Sequence, residues 1–126
     1  MTRSMKPPSP FTAAVVQAAS VAFDSARTLE KLRVLASKAA SGGAKFVLFP
    51  EAFISGYPSG SDFGARVGIR SASGRDLFRR YFDSAIVVPG PATQFIGNVA
   101  SDNSIFLVVG VIEKDGGTLY LSLIHI

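Results

Sequence analysis

The chain has 126 residues, 48% of them hydrophobic and 17% charged, which predicts one globular domain and excludes an intrinsically disordered protein. The net charge of +4 is spread along the chain without a block of like charges, so we expect no nucleic-acid partner. The absence of cysteine excludes disulfides, thiolate metal sites and thiol nucleophiles within this chain.

The first ten residues differ in character from the rest. Residues 1–10 are polar and rich in proline, which predicts a flexible leader, and we expect residues 11–126 to form the domain. Arg3 and Lys6 precede prolines rather than an apolar segment, so no signal peptide is expected. The longest apolar run, Ile105 to Ile112, is too short to span a bilayer. We therefore expect a cytoplasmic protein with no membrane partner.

The next segment has the pattern of a strand, a helix and a second strand. Thr12 to Ala19 predicts the first strand, and Asp24 or Ser25 can cap the helix that follows. Leucines and alanines recur in that helix at steps of three and four residues, and the glycines at 42–43 predict its end. Lys45 to Phe49 predicts the second strand. A unit of this kind predicts two parallel strands.

A single acidic residue follows the second strand. Phe46 to Phe49 is an unbroken apolar run, which predicts a strand buried on both faces, and Pro50 predicts its end. Glu51 comes next, and ligands of open α/β sheets lie at such carboxyl ends of strands. Glu51 is therefore a candidate general base, although a strand-end acid is by itself more often an ordinary surface residue.

In the region after Glu51, apolar residues do not recur with the spacing of a helix or a strand. Ser55 to Gly74 is rich in glycine, serine and arginine, and we expect a loop that covers the substrate because it follows Glu51 directly. Tyr57 either lines the pocket or packs as an aromatic residue in a turn. The next elements are predicted as a short amphipathic segment at Arg75 to Phe82, a brief strand at Ala85 to Val88 and a helix from Pro91 to about Ser101.

The last elements are predicted to form a β-hairpin. A buried strand at Ile105 to Ile112 is followed by a hairpin turn around 115–117, in which Lys114 also lies, and by a returning strand at Thr118 to Leu123.

Two other kinds of site are weighed and set aside. The arginines between 66 and 80 favour a solvated face over a phosphate-binding patch. Asp62, Asp76 and Asp83 form no recognisable metal-ligand set with the lone His125, which we expect to be exposed, so no metal site is predicted.

The segment around Glu51 resembles the first catalytic motif of the nitrilases, in the carbon–nitrogen hydrolase superfamily. The resemblance covers about residues 11–120. The residues that carry it are Phe49–Pro58, Gly60–Gly64, Gly74–Asp76, Val88–Pro91 and Gly110–Glu113.

The resemblance implies a fold, a reaction and a set of catalytic residues. Nitrilases have an α-β-β-α sandwich, so this α/β chain is expected to form an incomplete sandwich that begins with βαβ and ends with a hairpin. A thiolate attacks the carbon of a nitrile, a glutamate acts as the base and a lysine stabilises developing charge. The products are a carboxylic acid and ammonia, with no cofactor. The glutamate position corresponds to Glu51, and the full-length parent is expected to take a small nitrile and to form a homo-oligomer.

The other two members of that catalytic set are missing here. The resemblance places the lysine and the cysteine beyond the strand that follows Gly110–Glu113, and the chain ends before either position; Lys114 is not the family's lysine. Residues 121–126 leave the family pattern, so we expect a truncated or misjoined reading frame, with a short isoform as the alternative. This polypeptide is expected to lack activity, to expose an apolar sheet face, and to be poorly stable or self-associating. The alternative function is a non-catalytic interaction module that assembles with full-length homologues.

Overall fold

The computed structural model describes residues 9–66 and 69–126, so most of the predicted leader lies outside it. Among these residues the chain forms a four-stranded sheet, a separate two-stranded hairpin and three helices. In chain order the elements are β1 (Ala13–Val15), α1 (Ser25–Ser41), β2 (Phe46–Leu48), β3 (Ala65–Arg66), β4 (Ile69–Arg70), α2 (Ala72–Ser84), α3 (Pro91–Asn103), β5 (Phe106–Asp115) and β6 (Thr118–His125). The predicted α/β class is confirmed.

The strand–helix–strand prediction is confirmed. The strand order is β1-β2-β5-β6, in which β1, β2 and β5 are parallel and β6 is antiparallel to β5. Pairing of β1 stops sooner than the predicted Ala19. The Val16 amide still donates to the Leu48 carbonyl at 2.8 Å, but Pro50 has no amide hydrogen to donate the next bond of the ladder. The chain after Val16 therefore has no partner to extend its ladder.

Helix α1 begins and ends where the sequence predicts. The Asp24 carboxylate accepts a hydrogen bond from the Arg27 amide at 2.9 Å, and Gly42 follows the last turn. Thr28 is fully buried, and its hydroxyl accepts from the Val21 amide at 3.0 Å, which ties the preceding loop to the first turn. Leu32 is also fully buried and places the apolar stripe of the helix in the main core.

One face of the four-stranded sheet is covered by helices, and the other is open along β1, β2 and the start of β5. Val47, Val109 and Val111 are fully buried in the core that also contains α1 and α3 residues. Their strand neighbours point the opposite way because side chains alternate along a strand. On that opposite face Phe106 is 70% exposed and Val15 is 77% exposed. In β2 itself Val47 is buried, whereas Phe46 and Leu48 are only partly buried, so the prediction that β2 is buried on both faces is wrong.

The region predicted as one long loop contains more structure than the sequence pattern suggested. β3 and β4 form a short antiparallel hairpin within it, and α2 begins at Ala72 rather than Arg75. The Ser71 hydroxyl accepts from the Gly74 amide at 3.0 Å and caps α2. A hydroxyl cap of this kind satisfies one of the free amides of the first turn. The helix extends to Ser84, and Tyr81 places it against a second small core.

The C-terminal half follows the predicted order with longer strands. Helix α3 starts at Pro91 as predicted, and the brief strand is a single bridge between Ile86 and Glu113. β5 runs to Asp115, which pairs with Thr118 across a two-residue turn. Among the described residues, no helix is long and apolar enough to cross a membrane.

The open sheet face predicts self-association of the isolated chain. Val15→Glu places a charge on this face and should lower the association measured by sedimentation velocity over a range of concentrations, because a buried charge opposes apolar packing. Val34→Glu is the matched control, since Val34 is 52% exposed on α1, away from the sheet face. A wild-type chain that stays monomeric at every concentration contradicts the prediction.

Candidate active site

Glu51 lies just beyond the carboxyl end of β2, on a tight turn. The strand ends at Leu48, and after Phe49 and Pro50 the chain turns through residues 51–55. Ala52 and Ser55 have φ angles of 48° and 89°, in the left-handed region that residues with a Cβ rarely adopt. Two such residues so close to one carboxylate are strained positions that the surrounding structure must hold in place, and such positions cluster at functional sites.

Backbone hydrogen bonds fix this turn to β5. The Gly110 amide donates to the Pro50 carbonyl at 3.1 Å, and the Ile54 amide donates to the Gly110 carbonyl at 3.2 Å. The Ile112 amide then donates to the Ile54 carbonyl at 3.1 Å. Ile54 thus forms an isolated parallel bridge with Val111, and the turn that carries Glu51 is held over the middle of β5.

The loop before α1 holds the other side of the turn. The Ser20 hydroxyl donates to the Phe53 carbonyl at 2.7 Å, and the Phe23 amide donates to the Ser55 carbonyl at 2.9 Å. Further along, the Ser55 and Ser84 hydroxyls form a hydrogen bond in the interior. Polar atoms buried in this way are stable only when they are paired, and no described buried side-chain nitrogen or oxygen lacks a partner.

Glu51 faces an open cleft of about 980 Å³ on the uncovered side of the sheet. The cleft is lined mainly by apolar side chains of β1, of β2 and of the segments that follow them, including Val15, Val16 and Leu48. Glu51 is the only ionisable side chain among the described lining residues. Its side chain is exposed and forms no ion pair or hydrogen bond within residues 9–66 and 69–126. The arrangement presents one carboxylate, without a partner among the residues that the structure describes, to an apolar cleft.

Tyr57 lies outside the residues that line this cleft. It is 66% exposed, and the cleft residues do not include it. Its place in a substrate pocket stays a prediction. Burial of the Tyr81 phenol raises the pKa of Tyr81, and the electrostatic interaction with Tyr57 adds a smaller increase.

The basic residues Arg79 and Lys114 do not line the cleft that Glu51 faces. Arg79 forms ion pairs with Asp76 and Asp83, each at 2.9 Å. These interactions raise the pKa of Arg79, and the hydrogen bond with Asp76 is the largest cause. The prediction that Lys114 lies in the hairpin turn is wrong: it is part of β5, and its Nζ lies 5.5 Å from the centre of the Phe82 ring. Lys114 is therefore not placed to assist Glu51. His125 is exposed, as predicted.

The residues that support the turn were not found from the sequence. Ser20, Ser55 and Ser84 have no pattern that distinguishes them from other serines. Gly110 did have a usable signal, because a glycine inside an apolar strand indicates close approach of another backbone.

The fold defines a class of protein. The arrangement of helices and sheet is that of an amidase from Nesterenkonia sp., with a TM-score of 0.54 and 26% sequence identity over 82% of this chain and 33% of the amidase. An amidase from Nesterenkonia sp. AN1 in complex with acrylamide matches with a TM-score of 0.55. The chain thus has the α/β fold of these nitrilase-fold amidases.

Sequence comparison then identifies the family. The Carbon-nitrogen hydrolase family pattern matches residues 12–126, and this chain belongs to that family. It is 49% identical over 112 residues to the bifunctional nitrilase/nitrile hydratase NIT4B of Nicotiana tabacum. It is 51% identical over 108 residues to nitrilase 2 of Arabidopsis thaliana, and 46% identical over 115 residues to an aliphatic nitrilase of Sinorhizobium fredii (strain HH103). These matches cover 89%, 86% and 91% of this chain, but 32%, 32% and 37% of the relatives, so the chain spans about a third of their length.

Burial of Tyr81 predicts how alkaline pH affects this region. Its pKa lies above the ordinary value of 10.0, so Tyr81 stabilises the fold below that value and this contribution is lost as pH rises through the raised pKa. In an ultraviolet titration of phenolate, Tyr81→Phe should remove a tyrosine that ionises above the ordinary pKa of 10.0. Tyr120→Phe is the control, since Tyr120 is 50% exposed on β6. A late-ionising tyrosine that persists in Tyr81→Phe contradicts the assignment.

Proposed function

We propose that this chain provides the glutamate-bearing part of a nitrilase-type active site and that Glu51 is its general base. One observation carries the proposal: a strained turn at the end of a parallel strand presents Glu51 as the only ionisable group among the described residues of an apolar cleft. The family is that of carbon–nitrogen hydrolases, and the similar relatives are named as nitrilases. These names support a nitrile as the substrate class.

In the proposed chemistry the Glu51 carboxylate acts as a base in successive steps. Glu51 takes the proton of a cysteine thiol, and the sulfur forms a bond to the nitrile carbon while the nitrogen gains a proton. A water molecule, activated by the same carboxylate, attacks that carbon, and the protonated nitrogen leaves as ammonia, which leaves a thioester on the sulfur. A second water molecule then attacks the thioester carbon, and the sulfur leaves with a proton to restore the thiol. Two water molecules are consumed for each nitrile, and the products are a carboxylic acid and ammonia. A lysine would stabilise the charge that develops on the nitrogen.

The 126-residue chain contains the base but no thiol. It has no cysteine, so the covalent step needs a sulfur atom from elsewhere in a complete nitrilase. We expect the purified chain to release no ammonia from any nitrile. Ammonia released by this polypeptide alone, at a rate above that of a Glu51→Gln variant, would contradict the thiol-dependent mechanism.

A chimeric nitrilase tests the role of Glu51. Residues 12–120 of this chain replace the matching segment of the tobacco relative, which is 49% identical there. We expect the chimera to release ammonia from a nitrile and Glu51→Gln to lower kcat by about 10²- to 10⁴-fold, because loss of a positioned base removes that much rate.

The matched control for this experiment is Glu30→Gln. Glu30 is an exposed glutamate on α1 that pairs with Arg33, and it lies outside the cleft. The Glu30→Gln chimera should have a kcat close to that of the unmodified chimera. A Glu51→Gln chimera that keeps full activity would refute the assignment of the base.

A further inference from the structure

Gly110 lies directly beneath the turn that carries Glu51. A Cβ at position 110 would lie 2.5 Å from the Glu51 Cα, 2.5 Å from the Ala52 nitrogen and 2.7 Å from the Pro50 oxygen. All three are backbone atoms of the turn, so no side chain can rotate to make room. Any residue larger than glycine must push the turn away from β5.

The need for glycine at this position is one of space. Gly110 is not among the glycines with positive φ, and it keeps regular pairing with Leu123 in the β5–β6 ladder. A residue with a Cβ could therefore adopt its backbone conformation. Gly117, in the same hairpin, also lacks a positive φ, but a Cβ at position 117 would have no atom within 4 Å. The two glycines therefore differ in the space that surrounds them.

Ser84 holds the same turn from a second direction. The Ser84 hydroxyl donates to the Tyr81 carbonyl at 2.7 Å, which uses its only hydrogen, so the Ser55 hydroxyl donates to Ser84. Ser55 is fully buried, has a φ of 89° and follows Glu51 by four residues. Ser84 ends α2 and is 5% exposed. The end of α2 is thereby linked to the strained turn.

We propose that Gly110 and Ser84 are positioning residues for Glu51. This inference rests on the proposed role of Glu51 as the base. Neither residue offers an acid, a base or a nucleophile suited to the reaction; one supplies close backbone packing and the other a buried hydrogen-bond acceptor. They act through Glu51, because a shift of about 1 Å in a catalytic group can cost about 10²-fold in rate.

Kinetics of the chimera test this inference. Gly110→Ala should lower kcat about 10- to 100-fold and Ser84→Ala several-fold, while KM changes by less than about threefold, because the turn affects the reacting group more than the binding of substrate. Gly117→Ala and Ser101→Ala are the matched controls, since Gly117 has open space around it and Ser101 is exposed on α3. Both controls should keep wild-type kcat.

A double-variant comparison separates positioning from general structural damage. In a Glu51→Gln background, Gly110→Ala and Ser84→Ala should cause little further loss of kcat, because the group that they position is already gone. A merely structural role would give the same fold loss in both backgrounds, and that result would overturn the inference. Ser84→Ala, which adds no atoms, carries this test if Gly110→Ala does not fold.

Hydrogen exchange on the chimera gives a readout that does not depend on activity. The Ile54 amide donates to the Gly110 carbonyl, so Gly110→Ala should speed its exchange at least tenfold, while Gly117→Ala should not. Unchanged exchange at Ile54 in Gly110→Ala would overturn the inference.

The two proposals fail in different ways. If the chimera is active, Glu51→Gln is impaired, and Gly110→Ala and Ser84→Ala behave as wild type, only the positioning inference fails. If Glu51→Gln keeps full activity, or the chimera is inactive, the proposed base role fails and the positioning inference fails with it.

Discussion

The close contact between Gly110 and the backbone of Pro50 to Ala52 is the constraint on which the candidate site depends. It lets the chain leave β2, cross over β5 and pair with it again at Ile54, and the Glu51 side chain is thereby presented at the cleft. Hydrogen bonds on both sides of Gly110 align the turn with the strand beneath it. A larger residue at this one position would separate the two segments. The location of the Glu51 carboxylate therefore depends on Gly110 in β5 having no side chain.

The two faces of the sheet have different roles in this arrangement. The face covered by α1 and α3 buries the valines that stabilise the fold, and the open face carries the cleft and Glu51. The open face is also apolar, with Val15 and Phe106 largely exposed. A nitrilase that includes such a segment would need to cover this surface, both to protect it from water and to place a thiol against Glu51. The same further segment would therefore cover the open face and complete the proposed site.

Local sequence patterns predicted the elements well where neighbouring residues decide the outcome. The cap at Asp24, the end of α1 at Gly42 and the start of α3 at Pro91 each depend on contacts within a few residues. Burial of β2 could not be predicted this way, because an apolar run does not show whether a second layer is present. The β3–β4 hairpin was missed because its strands are only two residues long, too short for alternation to show.

The candidate site was predictable only in part, for a similar reason. Glu51 could be proposed from the end of a strand and from the family resemblance, both of which lie in contiguous residues. Ser55 and Ser84 are 29 positions apart in the chain, and nothing in either neighbourhood indicates that they meet. The most direct measurement of the central claim is a crystal structure of the chimeric nitrilase. We expect a Glu51 carboxylate oxygen within about 3.5 Å of the cysteine sulfur, or one water molecule away from it. A carboxylate and a sulfur on opposite faces of the sheet would contradict the proposed role of Glu51.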